Sequence, residues 1–238
     1  MAIIGIAGVY YLVVFFYAVS ITFLSLLPAG EAAIRGVKTS VWAGIAEGVS
    51  YLRNSPVMTL LLMMAFVPIV SGMPYQNLMP VFAVDVLDVG ETGLGLLMSM
   101  TGIGALMGSL AVASLGDFRR KGLLLIALGL AFGIALAVFG ISHSYALSLF
   151  ILIVVGLANA GYMTLNNTII QSSAPHEMRG RVMAIFMVTF ALMPLGTLPI
   201  GAVAEAVGPK FAVTGGAVIV LVFIIATAIF RPRVRRLE

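Results

Sequence analysis

Two kinds of polar residue stand out in a 238-residue chain that is 61% apolar and only 9% charged. The first kind is neutral. Residues 156–171 form an apolar run that carries Asn159, Tyr162, Asn166 and Asn167. At 100° per residue, Asn159, Tyr162, Met163 and Asn166 share one helix face, and Thr164, Asn167 and Gln171 lie beside it. Leu157, Ala158, Gly161, Leu165 and Ile169 take the other side. An unpaired polar group in hydrocarbon costs several kcal/mol, so this arc must meet partners or water. Hydrogen bonds to a neighbouring helix, worth about 0.6 kcal/mol per pair, would satisfy it; so would a cavity. We read it as a cavity lining. A second apolar run carries Ser71, Pro74, Tyr75, Gln76 and Pro80. Its prolines are expected to kink the helix and expose carbonyls to the same cavity, which adds Tyr75 and Gln76 to the candidate site.

The second kind is charged and confined to turns. Asp117, Arg119 and Arg120 stand in Gly116–Gly122, and Arg179 and Arg181 close the turn Ser172–Arg181. The basic residues anchor and orient the chain. The sharper expectation is a gate latch in which Asp117 pairs with a basic residue of the neighbouring turn and lets go when that side opens. An exposed pair contributes only about 0–1 kcal/mol, enough to bias a balanced two-state equilibrium.

Other chemistry is missing from the sequence. No Asp, Glu, Lys, Arg or His lies in the middle of an apolar run, so no proton-coupling residue is evident. There is no Cys, hence no thiol nucleophile or thiolate metal site. His176-Glu177 has no second His one turn on, and there is no Gly-Lys-Ser/Thr phosphate loop. Neither a metal nor a cofactor is expected, and no catalytic dyad is visible, so the protein does not read as an enzyme.

The elements that must position these residues are membrane helices. A soluble domain carries about 25% charged residues; at a mean hydropathy of +1.16 a fold in water could not bury so much apolar surface. The fold class expected is all-α, a polytopic membrane bundle of about seven spans near 3–28, 56–83, 92–115, 122–141, 146–170, 182–204 and 211–230. The sequence pI of 9.6 does not signal nucleic acid, because the basic residues sit in alternate connections. Loops 29–55, 116–121 and 171–181 and the tail 231–238 hold all of the 13 Lys and Arg except Lys210. The positive-inside rule makes that set cytoplasmic, including the C-terminus. In the loop 29–55, Trp42, Ile45, Val49 and Leu52 recur at helical spacing opposite Glu47 and Arg53. This is a short amphipathic helix that either lies on the membrane surface or packs on its neighbours. Gly104 and Gly108 form a small-xxx-small pair, the mark of close helix packing.

Residues 113–139 weakly repeat in 201–230, with Asp117 against Glu205 on opposite sides of the membrane. Inverted three-helix repeats are a transporter architecture. The turn Gly116-Asp117-Phe118-Arg119-Arg120-Lys121-Gly122 resembles the cytoplasmic acidic–basic motif of the major facilitator superfamily. Pro175 to Met183 resembles that family's turn before its eleventh helix, and Pro194-Leu195-Gly196 through Gly201 its Gly/Pro-rich eleventh helix. The similarity points to bacterial efflux proteins of the enterobactin-exporter and macrolide-efflux kinds, aligned with helices six to twelve. Ala113 and Phe118 depart from the motif, where Gly and a basic residue are common.

The resemblance implies half of a major-facilitator fold with inverted three-helix repeats. Residues 1–28 would be the last helix of a missing N-terminal bundle, 29–55 a cytoplasmic linker, 56–230 a six-helix bundle, and 231–238 a basic cytoplasmic tail. It implies a secondary efflux permease or antiporter in the bacterial plasma (inner) membrane. Such a permease moves small amphipathic molecules by alternating access. Its partners are membrane lipid, the small-molecule substrate and the missing helices, with no nucleic acid. On this alignment Asn159, Tyr162, Asn166 and Asn167 stand on a cavity helix, and Asp117 and its basic neighbours form the cytoplasmic gate. Two other classes compete: a complete seven-helix receptor and a membrane-embedded enzyme. The first lacks a mid-span Lys for a retinal Schiff base, and the second lacks a mid-membrane acid, His or Ser dyad.

Overall fold

A computed structural model of the protein describes residues 5–26, 41–116, 118 and 120–231, with the side chains of residues 5–7, Val9, Leu12, Val41–Ala46 and Val49 outside that set. The protein divides between Ser40 and Val41 into two units, each described by itself. The first holds helix α1, Gly5–Leu26, an apolar helix of 22 residues with no acidic residue in its first turn and no basic residue in its last. At 1.5 Å per residue it is about 33 Å long, the thickness of a hydrocarbon core.

The second unit is helical throughout its regular structure. It begins with α2, Val41–Asn54. Ser55 separates this from α3, Pro56–Val67, whose proline occupies the first helical turn, where its missing N–H costs nothing. The span then changes pitch. A π-helical turn, Pro68–Gly72, leads to α4, Tyr75–Val81, and a second π turn, Phe82–Val86, ends it. The whole run 56–86 is a single membrane-length element. Helices α5 (Gly90–Ser114), α6 (Lys121–Ile141) and α7 (Tyr145–Ser173) follow. Next come α8, Arg179–Ala191, and α9, Pro194–Val207, which form one span broken at Leu192-Met193. Gly208 adopts φ +98°, and Pro209 opens α10, Pro209–Phe230. That positive φ is a left-handed conformation open to glycine; it stops α9, and proline restarts the helix as α10.

Among the described residues, six elements are long and apolar enough to cross a membrane, and Val13–Leu26 within α1 is a shorter apolar helix. The expected all-α polytopic bundle is what the protein forms. The main differences lie at the ends. The span expected at 182–204 extends over 179–207, and that expected at 146–170 extends over 145–173, because terminal polar turns continue helical geometry beyond the apolar stretch.

The most extensive helix pair is α5 with α7, and glycine makes it possible. A Cβ at Gly104 would lie 2.0 Å from the Ile153 carbonyl oxygen, and one at Gly108 2.1 Å from that of Leu157. Gly156 answers from α7, where a Cβ would lie 2.1 Å from the Thr101 carbonyl oxygen. Backbones this close are the small-xxx-small contact that the spacing predicts. On the other side α6 packs on α7 and α10. Phe139 of α6 stacks on Phe82 with ring centroids 4.8 Å apart, and Phe132, Leu136 and Val220 are fully buried.

Helix α2 is the short helix expected within residues 29–55. It packs on α3 and α8. A Cβ on Gly48 would touch Ile185 at 2.9 Å, and the Thr59 hydroxyl donates to the Leu52 carbonyl at 2.6 Å. The side chains of Trp42, Ile45 and Val49, which carried the amphipathic reading, lie outside the described residues.

Candidate functional site

The site is built on the proline-interrupted span 56–86. Pro68 has no N–H to donate to the carbonyl of Met64 one turn earlier. A carbonyl released inside a bundle needs another donor. Tyr162 of α7 supplies it: its hydroxyl donates to the Met64 oxygen at 2.5 Å. One turn on, Asn166 Nδ2 donates to the Leu61 oxygen at 3.2 Å. Both residues are 0% exposed. The expected cavity lining is therefore corrected for these two. They face α3 rather than an open path: Pro68 frees the Met64 carbonyl that Tyr162 meets, and Asn166 meets the Leu61 carbonyl one turn earlier. Asn159 continues the same face, half-buried, and its Oδ1 and that of Asn166 are buried without a hydrogen-bond partner.

The second freed carbonyl follows the same logic. Pro74 cannot donate to Val70, and Gly196 of α9 comes up against that oxygen so closely that a Cβ there would lie 1.7 Å away. The expectation that these prolines open carbonyls to a cavity is corrected as well: neighbouring helices meet them. Asn77 Nδ2 reaches the Thr197 hydroxyl at 3.4 Å and adds a second link between the same two spans.

The open face lies one residue round from Asn166. Asn167 is half-buried and hydrogen-bonded to Gln171 on its own helix. It lines a groove of about 510 Å³ with Met163, Thr164, Thr168, Phe186, Met187 and Phe190. The Phe186 and Phe190 rings meet edge to face, 5.5 Å apart. No lining residue is ionisable. Thr164 and Thr168 also border a smaller groove of about 240 Å³ that runs to Gly116, Phe118 and Lys121. Across the bundle, Gln76 is exposed and Tyr75 buried. Gln76 lines a separate groove of about 340 Å³ between α4 and α5, and the Tyr75 ring lies edge-on to Phe139. The structure thus divides the six expected cavity residues. Asn167 and Gln76 stand on open grooves, Tyr162 and Asn166 bond α3, and Asn159 and Tyr75 hold buried polar atoms without partners.

Of the expected gate, Asp117 and Arg119 lie outside the described residues. Arg120 is exposed at the start of α6, and Arg179 is exposed at the start of α8. Arg181 does pair with an acid, though with one not among the expected gate residues: its Nη1 lies 2.6 Å from Glu47 Oε1 on α2. The signal was present in the sequence, since Glu47 stands on the polar face of a helix placed between charged turns. It was missed because that helix was not assigned a packing partner. Among the described residues, no three His, Cys, Asp or Glu side chains gather where they could hold a metal ion.

The uncharged, groove-bearing helix bundle has the character of a transport protein, and comparison with known families decides which. The model of the transmembrane secretion effector family, a branch of the major facilitator superfamily, matches residues 1–238. The chain belongs to that family. It is also 28% identical over 221 residues to the multidrug efflux pump Tap of Mycolicibacterium fortuitum, a match covering 92% of this sequence and 53% of that protein. The chain spans about half the length of the curated relative it matches. Membership makes the chain a multi-pass membrane protein of a transporter family, and the receptor and membrane-enzyme readings are not favoured.

Proposed function

We propose that this protein supplies one helix bundle of an efflux permease for small amphipathic molecules in the bacterial plasma membrane. The groove between α7 and α8 supports this reading most directly. It is large enough for a small molecule, lined by aromatic and thioether surface, and carries Asn167, Thr164 and Thr168 as neutral hydrogen-bonding groups. Such a wall selects by shape, apolar area and a few hydrogen bonds rather than by charge. The multidrug efflux pump to which the sequence is similar gives that chemistry a precedent. On this reading Asn167 and Gln76 touch the substrate, while Tyr162 and Asn166 hold the wall in place.

Alternating access needs two bundles facing one cavity, so transport requires a second bundle opposite this groove. The charged turns face the cytoplasm together with the C-terminus, as the basic residues of alternate connections favour. Asp117, Arg119, Arg120 and Arg179 belong to the gate on that side, and the Arg181–Glu47 pair ties α2 to it. The absence of mid-span ionisable residues from this bundle leaves ion coupling to the facing one. The test is ethidium accumulation in bacteria expressing the protein alone or together with an N-terminal six-helix bundle of the same family. Efflux in the second case, reduced by Asn167→Leu, supports the proposal. Efflux of equal strength by the protein alone would overturn the two-bundle mechanism.

A further inference from the structure

The smaller groove beside α7 carries a charge that the larger one lacks. It holds about 240 Å³ and is bordered by Phe118, Lys121 and Leu124 on one side and by Thr164, Leu165 and Thr168 on the other. Lys121 is half-buried in the first turn of α6. It is the one ionisable residue in that lining among the described residues. The salt bridge among the described residues is Arg181–Glu47, so Lys121 has no acidic partner among them. An ammonium partly withdrawn from water beside apolar surface is stabilised when an anion lies against it. Thr164 and Thr168, one helical turn apart, also border the groove of about 510 Å³. The two grooves therefore share an edge, and no charged side chain stands on it. The Thr168 hydroxyl donates to the Thr164 carbonyl at 2.9 Å, which leaves its oxygen as an acceptor on that edge.

From this arrangement we infer that the paired grooves bind amphipathic monoanions, with Lys121 as the residue that recognises the charge. The carboxylate or sulfonate of the ligand lies against the Lys121 ammonium. The apolar body crosses the Thr164–Thr168 edge toward Phe186 and Phe190. The inference rests on the reading of the larger groove as a substrate site and names the class of substrate. At about 240 Å³ the smaller groove is below the usual size of a small-molecule site, so it takes the charged end of a ligand whose body lies in the larger one. One cation matches one negative charge. A second charge on the ligand would lie against an apolar lining and go unpaired. A cation such as ethidium occupies the larger groove alone, away from Lys121, and an uncharged molecule binds without the ion pair.

Two probes with one body separate charge from shape: para-benzoylbenzoate, an anion at neutral pH, and its uncharged methyl ester. On irradiation the excited ketone of either takes a hydrogen atom from a nearby C–H bond. The two radicals then join in a carbon–carbon bond, adding the whole probe to the residue as a tertiary alcohol. The purified protein in dodecyl maltoside is irradiated with each probe at subsaturating concentration, and adducts are mapped by peptide mass spectrometry. The readout is the carboxylate-to-ester ratio at Leu124, Met163 and Leu165, normalised to adducts at the exposed Met63 and Met107. In wild type that ratio should exceed unity by about five-fold, the upper end for a partly exposed ion pair. Lys121→Gln should bring it close to unity while ester adducts persist, which shows the groove still formed. Lys121→Arg should keep the ratio, and so should Arg120→Gln, which changes an exposed residue outside the lining. Naphthoate should suppress the carboxylate adducts. Equal ratios in wild type and Lys121→Gln would overturn the inference. Suppression by phosphatidylglycerol and not by naphthoate would also overturn it, by making Lys121 a lipid-headgroup site. Labelling needs no transport, so either result leaves efflux of uncharged molecules standing, and a failure of efflux with the ratio intact would count against the transport reading alone.

Discussion

The Tyr162–Met64 hydrogen bond is tied to a proline on another helix, and that dependence can be measured. Hydrogen bonds between membrane helices average about 0.6 kcal/mol and reach about 1.7 kcal/mol, since the unbonded partners usually find substitutes. The Met64 carbonyl has lost its usual one, because Pro68 has no N–H. Tyr162→Phe should therefore cost close to the upper value, about 1.7 kcal/mol, or nearly a twenty-fold shift in the unfolding equilibrium. Pro68→Ala restores the N–H one turn on. In that background Tyr162→Phe should cost no more than about 0.6 kcal/mol, giving a coupling of about 1 kcal/mol between residues on different helices. The assay is unfolding by sodium dodecyl sulfate in mixed micelles, followed by circular dichroism, for wild type, both single variants and the double variant. The effect of Pro68→Ala on helix shape cancels in the cycle. Equal costs of Tyr162→Phe in the two backgrounds would refute the idea that the hydroxyl replaces the missing proline donor.

Two glycines two residues apart on α5 should behave oppositely under the same assay. Gly104→Ala forces a Cβ to within 2.0 Å of the Ile153 oxygen and should cost about 1–3 kcal/mol, whereas Gly102→Ala meets nothing and should gain about 0.5–1 kcal/mol; similar effects at both would sink the close-seam account. Asn167→Cys should react with small hydrophilic thiol reagents and be protected by substrate, while its neighbour Asn166→Cys stays inert; the reverse order would exchange their roles. Asp88→Cys should label with an impermeant thiol reagent in intact cells and Lys121→Cys should not, with equal labelling counting against the proposed orientation. A double-mutant cycle on Glu47 and Arg181 should give a coupling below about 1 kcal/mol that falls with salt, as for an exposed pair; a larger, salt-independent value would make that contact a structural clamp.

The helices were legible because hydrocarbon imposes a simple rule: about 20 apolar residues make a span. The connections were legible because charge cannot stay inside it. The glycine seam was legible from spacing alone, since Gly104 and Gly108 fall one turn apart on one face. The site was harder. A polar arc in an apolar helix announces that something must satisfy it, and the sequence does not say whether that is water or a neighbour. What decided it was Pro68, nearly a hundred residues upstream. A reading of α7 alone places Tyr162 and Asn166 with Asn167; pairing Pro68 with the Met64 carbonyl it releases would have set Tyr162 apart, while the Asn166 bond to the Leu61 carbonyl has no such mark in the sequence. The Glu47–Arg181 contact was hidden for a related reason, since an amphipathic helix has the same periodicity whether it floats on lipid or packs on protein.

The split between Asn166 and Asn167 also bears on how such a bundle can move. Substrate contacts that reshape the wall would have to break the bonds beneath it, and here those bonds are buried and shared with the proline-bearing span. The wall made by α3 and α7 is therefore suited to move as one body. The span 179–207 is held differently. It packs on α10, α2, α3 and α7, and its specific ties are the Asn77–Thr197 contact, the Gly196–Val70 approach and the Arg181–Glu47 pair, each near a break or an end of a helix. It also carries Phe186 and Phe190, which form half of the α7–α8 groove. A wall tied by buried bonds, facing one tied near helix breaks and ends, would let the groove widen or narrow without unmaking the core, as the proposed alternating-access cycle requires.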